Sequence, residues 1–196
     1  MTLRLSVVGT GYLGATHAAC MAELGYEVFA DIKLHDIPTT VGRASRVLGS
    51  LGASYVTMHA FGGVDVRRAG VEGLAGGAGR AGLGPPCALA VTVLTSDAGA
   101  PAHILPKRVA MAVEAGCGGI VCAVSAAREA RLLGPRLTIV TPGIRPAGSP
   151  THDQARSATP QEAFDAGADL LVIGRAVTHA PDPVVAAAEL VESLTL

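Results

Sequence analysis

The sequence is poor in aromatic and in charged residues. It contains no tryptophan, and aromatic residues make up 3% and charged residues 16% of its 196 positions. Its 15 Lys and Arg are balanced by 16 Asp and Glu without a basic run, so it lacks the positive surface that nucleic acids or anionic membranes require. Because 49% of the residues are hydrophobic, the chain can bury a large core, which excludes a disordered protein.

Metal-ligand spacing of cysteines and long apolar runs are also absent. The four cysteines lie in apolar stretches, which predicts free, buried thiols in a reducing compartment; they are Cys20, Cys87, Cys117 and Cys122. No run approaches the ~18 apolar residues of a membrane span, and the N-terminus has no cleavable apolar segment. The histidines share no face as metal ligands do. We therefore expect one cytoplasmic domain, residues 1–196, without a metal site.

Short apolar runs without polar alternation recur along the chain, as in strands that are buried on both faces of a parallel sheet. Seven such runs are present, at residues 3–9, 28–33, 55–59, 88–94, 119–122, 137–140 and 170–173. Amphipathic helical patterns lie between most of them, at residues 15–24, 41–51, 107–115 and 184–194. This alternation predicts an α/β fold built from βαβ units.

Glycines mark the predicted helix ends. Each of four glycines follows a helical pattern and precedes a strand, where a left-handed backbone closes the helix; they are Gly25, Gly52, Gly116 and Gly167. Residues 73–86, which are rich in Gly, Ala and Pro, predict a loose surface connection. Residues 141–160 predict a long polar loop of the kind that binds ligands.

A glycine motif follows the first predicted strand. Gly9, Gly11 and Gly14 fit the GxGxxG pattern that binds a dinucleotide, and Asp31 ends the next strand, where a ribose-binding carboxylate is expected. Residues 5–28 also resemble the opening of nucleotide-sugar dehydrogenases of the UDP-glucose type. The alternative is that these glycines serve only a tight turn between strand and helix, because no second nucleotide-binding half follows.

Charged residues alternate at the end of the second strand, in the segment VFADIKLHDIP (28–38). Side chains two positions apart share a strand face, so Asp31 and Lys33 project together. Burying a charge alone is costly, and a paired acid and base that face a cavity are typical of a working site. The alternative interpretation is a structural ion pair at the rim of a barrel.

From about residue 27 to the C-terminus, the sequence resembles the orotidine 5′-phosphate decarboxylase family. The family's DxKxxD signature matches Asp31, Lys33 and Asp36, and further motifs follow in the family's order: VTMHA (56–60), VTVLTS (91–96), TPGIRP (141–146) and IGRA (173–176). The resemblance implies a TIM-type (β/α) barrel with its site at the C-terminal strand ends. It also implies a homodimer that decarboxylates orotidine monophosphate to UMP, in pyrimidine biosynthesis, without a cofactor.

The resemblance further implies roles for single residues. Asp31 crowds the substrate carboxylate, Lys33 supplies a positive field and the proton for C6, and Asp36 reaches the site of the neighbouring subunit. The implied substrate-binding residues are Ile37, Thr40, Thr95, Ser96, Pro142, Gln154, Gly174 and Arg175. Thr95 or Ser96 bonds the pyrimidine edge, while Gln154 and Arg175 hold the phosphate under the loop 142–160. We interpret His59, at a strand end, as structural rather than catalytic.

The sequence departs from the family before residue 28. The family carries a ribose-binding Asp in a Leu-Ala-Leu-Asp phrase on its first strand and a Lys in a Lys-Val-Gly phrase on its second, and neither phrase is present. We expect a barrel of about seven strands that lacks one βα unit, with a dehydrogenase-like segment (1–28) fused to a decarboxylase-like barrel (29–196). Because the charged array is incomplete, we expect much reduced or no decarboxylase activity.

Two other hypotheses stay open on the sequence. The chain is either a NAD-binding dehydrogenase fragment that uses Gly9, Gly11 and Gly14 with Asp31, or a non-catalytic nucleotide-phosphate binder that retains Gln154 and Arg175. The predicted partners are a small nucleotide and a second copy of the chain, and neither nucleic acid nor a membrane.

Overall fold

The computed structural model describes residues 4–8 (backbone), 20–22, 24–95, 97, 99–145 and 158–194. Seven strands form one parallel sheet in chain order, which confirms the predicted number; they are β1 (Arg4–Val8), β2 (Glu27–Leu34), β3 (Tyr55–His59), β4 (Cys87–Val91), β5 (Gly119–Val121), β6 (Thr138–Pro142) and β7 (Leu170–Val172). Strand β4 ends three residues before the predicted run does, because Thr92, Val93 and Leu94 leave the sheet at its C-terminal edge.

The sheet is curled, and both of its faces are buried. Phe29, Leu89 and Val140 come from β2, β4 and β6, yet they pack together in one interior cluster, which requires the sheet to close around them. Alternate residues such as Ala30 and Ile120 belong to a second cluster, between the sheet and the helices. Among the described residues no pairing joins β7 to β1, so the TIM-type barrel is open between its first and last strands.

Helices connect the strands on the outer face. They are α1 (Pro38–Ser50), α2 (Gly63–Arg80), α3 (Ile104–Glu114), α4 (Val124–Leu133), α5 (Pro160–Asp165), α6 (Arg175–Thr178) and α7 (Pro183–Glu192), with a 3-10 turn at Ala60–Gly62. Of the predicted helix at 15–24, residues 20–22 are helical and most of the others lie outside the described residues. The four predicted cap glycines all have positive φ: Gly25 84°, Gly52 81°, Gly116 77° and Gly167 100°.

The prediction of a loose connection at residues 73–86 was wrong for residues 73–80, because helix α2 continues to Arg80, and it holds for residues 81–86, which connect α2 to β4 at the surface. Gly73 and Gly77 face α1 and allow the two helix backbones to lie in close contact. A Cβ atom on Gly77 would collide with the carbonyl oxygen of Arg46, and one on Gly73 with that of Gly42. Low helix propensity was outweighed by a close helix contact that only small residues permit.

The cysteine prediction holds for two thiols. Cys117 and Cys122 are buried, and this burial raises the pKa of Cys117 to about 11 and that of Cys122 to about 12. Cys87 is half-buried, and Cys20 is exposed, so the prediction was wrong for Cys20, because apolar neighbours in the sequence do not determine which side chains the fold covers. Across the described ranges no helix has both the length and the apolar composition to cross a bilayer. Nor do these ranges contain a group of three or more metal-binding side chains.

Candidate functional site

The acid and base predicted on the second strand form an ion pair at the C-terminal end of β2. The Lys33 Nζ atom lies 2.6 Å from Asp31 Oδ2, and the two side chains are 39% and 15% exposed. Lys33 has φ 50° and is the only non-glycine residue with positive φ in the described part of the chain. This backbone reversal lets a lysine two positions after Asp31 fold back onto its carboxylate.

Thr57, on the neighbouring strand β3, holds this ion pair in place by two hydrogen bonds. Its buried hydroxyl donates to Asp31 Oδ1 at 2.9 Å and accepts the backbone N–H of Lys33 at 2.9 Å. The pairing of β2 with β3 shifts register between Ala30 and Leu34, so this side chain takes over a hydrogen bond of the interrupted ladder. Both carboxylate oxygens of Asp31 are therefore held by the chain's own groups. The sequence reasoning quoted the VTMHA motif but missed this role of Thr57.

A cavity of about 190 Å³ opens beside the pair, at the C-terminal ends of five strands. Its lining includes Asp31, Lys33, Thr95, Pro142 and Val172, which come from β2, the segment after β4, β6 and β7. Four of the predicted site residues thus meet at one mouth of the barrel. Asp31 and Lys33 supply charge on one side, and apolar side chains supply most of the remaining wall.

The ends of β6 and β7 border the same mouth. Gly174 and Arg175 follow β7 after one residue, Ile173, and helix α6 begins at Arg175. After β6, the segment that leaves at Arg145 returns at Ala158, because the Arg145 N–H donates to the Ala158 carbonyl at 2.9 Å. Both ends of the predicted binding loop are thus fixed side by side.

Arg145 is a further polar group in this region that the sequence reasoning did not single out. Its side chain is buried, and Nη1 donates to the carbonyl of Ile144 at 2.9 Å. The buried Nη2 has no hydrogen-bond partner among the described residues. Since an unsatisfied buried donor is costly, this nitrogen is a candidate for an anionic ligand group. The motif TPGIRP signalled its position, but burial cannot be read from a motif.

The remaining predicted residues do not line this cavity. Asp36, Ile37 and Thr40 are exposed around the start of α1, and Asp36 Oδ1 accepts the backbone N–H of Ile37 at 2.6 Å. Two predicted binding residues, Ser96 and Gln154, lie outside the described residues. So do the three glycines of the dinucleotide motif, Gly9, Gly11 and Gly14.

A histidine stands next to the ion pair. His59 ends β3, and burial is the main cause that lowers its pKa below the ordinary value for an imidazole. The positive charges of His35, Lys33 and Arg108 lower this pKa further, while Asp31 raises it. We conclude that His59 is neutral at neutral pH.

The fold and the site define a (β/α) barrel protein with a small, largely apolar cavity at its C-terminal strand ends, where Asp31 and Lys33 supply the charge. This is the usual place for catalysis in this architecture. Residues 11–190 match the model of the orotidine 5′-phosphate decarboxylase / HUMPS family. This chain belongs to that family.

Individual relatives agree with the family match. The chain is 42% identical to the orotidine 5′-phosphate decarboxylase of Frankia casuarinae, over 98% of its own length and 71% of the relative's. It is 47% identical to that of Thermobifida fusca, over 85% and 72%. A crystal structure of the orotidine 5′-phosphate decarboxylase from Lactobacillus acidophilus superposes with a TM-score of 0.77 at 28% identity, over 98% of this chain and 86% of that one.

These comparisons do not support the second resemblance, to dehydrogenases. The family match begins at residue 11, inside the segment 5–28 that resembles nucleotide-sugar dehydrogenases. In the fold, β1 pairs with β2 in the same sheet as the other strands.

Proposed function

We propose that this chain is a cofactor-independent carboxy-lyase that converts orotidine 5′-phosphate to UMP and CO2. The observation that carries the proposal is the Lys33–Asp31 pair, which Thr57 holds at the edge of the cavity. Family membership supplies the substrate, since the relatives at 40–47% identity bear this enzyme's name.

The reaction breaks the bond between C6 of the pyrimidine and its carboxylate. CO2 leaves, the electron pair stays on C6, and a proton from Lys33 Nζ then forms the C6–H bond; Lys33 regains its proton from water. The fixed ammonium group stabilises the charge that develops on C6, and the fixed Asp31 carboxylate repels that of the substrate. Because both groups are already in place, little reorganisation is needed during the reaction.

The rest of the substrate fits the other groups at the mouth. Thr95 or Ser96 would bond the pyrimidine edge, with Pro142 beside the ring, as the family resemblance implies. The phosphate would be held by Gln154, Gly174 and Arg175. We add Arg145 to this set, because its Nη2 is a buried donor without a partner among the described residues.

A second copy of the chain would complete the site. Asp36, Ile37 and Thr40 lie outside their own cavity, and in the proposed homodimer they enter that of the partner. Ile37 is 64% exposed and Phe61 75% exposed, so two large apolar side chains near the mouth would gain from being covered. One isologous interface would place each copy's Asp36 near the other's Lys33.

One observation favours a lower rate than that of the relatives, or binding without turnover. The chain contains two lysines, Lys33 and Lys107, and Lys107 is exposed on α3. The family has a second lysine in its charged active-site array, and this chain has no other lysine that could take that place. The second candidate function is therefore a nucleotide-phosphate binder that does not catalyse.

The test is UMP formation from orotidine 5′-phosphate by the wild type, Lys33→Ala and the matched control Lys107→Ala. We expect Lys107→Ala to equal the wild type and Lys33→Ala to lose at least about a thousandfold in kcat. Equal rates for wild type and Lys33→Ala would remove Lys33 from the mechanism.

Thermal unfolding with UMP, NAD and orotidine monophosphate, each added separately, distinguishes the alternatives. A ligand of the folded state raises the free energy of unfolding by about 2.7 kcal/mol at a hundredfold excess over its Kd. Stabilisation by UMP without turnover favours the non-catalytic binder. Stabilisation by NAD alone contradicts the proposed function.

A further inference from the structure

His59 lies on the interior face of the barrel, two residues beyond Thr57 along β3 and therefore closer to the C-terminal end of the strand. Residues 55, 57 and 59 of β3 share a face, because strand side chains alternate. The first of them, Tyr55, stacks on Phe29 of β2 with ring centroids 5.7 Å apart, and the second, Thr57, bonds Asp31. The imidazole therefore stands at the mouth, on the same side as Asp31 and Lys33.

A second cavity, of about 230 Å³, borders His59. The His35 ring meets the His59 ring edge-on, with centroids 5.6 Å apart. Arg108 lines this cavity in a fixed position, since its Nη1 donates to the Thr92 carbonyl and its guanidinium lies 5.9 Å from the centre of the Phe61 ring. The second cavity shares Leu94 with the first.

Charged and titratable groups therefore face His59 from every element packed around it. They are Asp31 and Lys33 on β2, His35 after β2, Asp97 after β4 and Arg108 on α3. Two basic side chains, Lys33 and Arg108, belong to this set. A third positive charge at position 59 would be repelled by both of them.

We propose that His59 is a positioning residue for Lys33: as a neutral imidazole it leaves the Lys33–Asp31 contact intact, and its protonation weakens that contact and turns the reaction off. This inference rests on the proposed decarboxylase function. A protonated His59 would attract the Asp31 carboxylate and repel the Lys33 ammonium group, so it would act on both members of the pair. Burial and the surrounding cations oppose that protonation until the pH is acidic.

The expected dependence of kcat on pH follows from the neutral state of the His59 imidazole at neutral pH. The pKa of His59 is lowered, so the imidazole is uncharged at neutral pH and gains its proton as the pH falls below about 6.5. The phosphate of the substrate also titrates near there, but it affects binding and therefore KM. The pH dependence of kcat, measured at saturating substrate, therefore reports the titration of His59 in the enzyme–substrate complex.

The experiment measures kcat between about pH 5 and about pH 8 for the wild type, His59→Asn and the exposed-histidine control His103→Asn. We expect the wild type and His103→Asn to lose about tenfold per pH unit on the acid side. His59→Asn should be about threefold slower than the wild type at neutral pH, with KM changed less than about twofold, and its kcat should stay flat into acid. An acid limb in His59→Asn equal to that of the wild type would overturn the inference.

Two further measurements keep the test decisive. His59→Gln serves as a second neutral variant, and Arg108→Met removes a cation, so it should raise the pKa of His59 and move the wild-type acid limb toward neutral pH. A proton NMR titration of the His59 ring needs no turnover, and a titration above about pH 6.5 would contradict the inference. Absence of turnover at every pH, with the ring titrating as expected, would instead identify the proposed function as the part that fails.

Discussion

Two groups of residues lie at and beyond the C-terminal end of β2, and they differ in how the chain holds them. The inner group consists of Asp31, Lys33 and Thr57, which bond one another at distances of 2.6 to 2.9 Å. The outer group consists of Asp36, Ile37 and Thr40, which are exposed and contribute nothing to the lining of their own cavity. The contacts of the inner group are made within one chain, whereas the proposed homodimer assigns the outer group to the partner's site.

This contrast separates two requirements of the proposed catalysis. Electrostatic stabilisation needs charges that are fixed before the substrate arrives, and the inner group meets that requirement by hydrogen bonds across β2 and β3. The outer group can supply charge only through assembly. Variants of the inner group should therefore act at any protein concentration, while variants of the outer group should act through the dimer.

The largest effect is expected from Asp31→Asn, which keeps the size of the side chain and removes its charge. Without the carboxylate, neither the repulsion of the substrate carboxylate nor the anchor of Lys33 Nζ persists, so we expect kcat to fall about a thousandfold. The measurement is steady-state UMP formation, with the exposed Asp65→Asn as the matched control. A loss of less than about tenfold in kcat would mean that the Asp31 carboxylate does not contribute to catalysis as proposed.

Thr57→Val comes next, because valine fills the same space without the hydroxyl. Two hydrogen bonds disappear, one to a carboxylate and one from the Lys33 backbone, and a bond to a charged group contributes about 1.5–3 kcal/mol. We expect kcat to fall about tenfold to a hundredfold. Thr57→Ser restores a hydroxyl and should recover most of the rate; failure of this rescue would indicate a packing defect instead.

Mixing two defective variants examines the outer group. In a dimer that combines Lys33→Ala with Asp36→Asn, one of the two sites has both an intact Lys33 and an intact partner Asp36. Random mixing makes half of the dimers mixed, so about a quarter of the wild-type activity should return. Activity of the mixture no higher than the average of the two separate variants would mean that Asp36 does not act across subunits.

The smallest effect is expected from Ile37→Ser, which removes an exposed apolar side chain from the proposed interface. Loss of part of its buried area should raise the Kd of the dimer about tenfold. Sedimentation across a dilution series measures this change. Leu132→Ser, on the exposed side of α4, is the matched control and should leave the dimer unchanged. Equal Kd values for both variants would place the interface elsewhere.

The sequence predicted the parts of this fold that depend on local pattern. Seven apolar runs correspond to seven strands, and the glycines at positions 25, 52, 116 and 167 close turns with positive φ, because both features follow from backbone chemistry. The segment 73–86 could not be predicted in this way. Gly73 and Gly77 are favoured in α2 by their contact with α1, which depends on two helices and not on one segment.

In the site, too, the features set by local sequence pattern could be predicted, and those set by tertiary contacts could not. The two-residue spacing of Asp31 and Lys33 predicted that they lie together, whereas the left-handed backbone of Lys33 that completes their contact was not predicted. The roles of Thr57 and Arg145 could not be predicted either, since one depends on a register shift between strands and the other on burial at the end of β6. Both residues lie in motifs that the sequence reasoning had quoted, so motif position indicates where to look and the tertiary contacts decide what is there.

The left-handed backbone of Lys33 sets folding against chemistry at a single position. A residue with a Cβ atom gives up about 1–2 kcal/mol in that conformation, and glycine gives up far less. Lys33→Gly and Lys33→Ala both lose the ion pair and differ only in backbone freedom, so in urea the glycine variant should be about 1 kcal/mol the more stable of the two. If only the stability of the backbone mattered, glycine would be favoured at position 33. The lysine found there therefore lowers the stability of the fold and supplies the ammonium group that the proposed reaction needs.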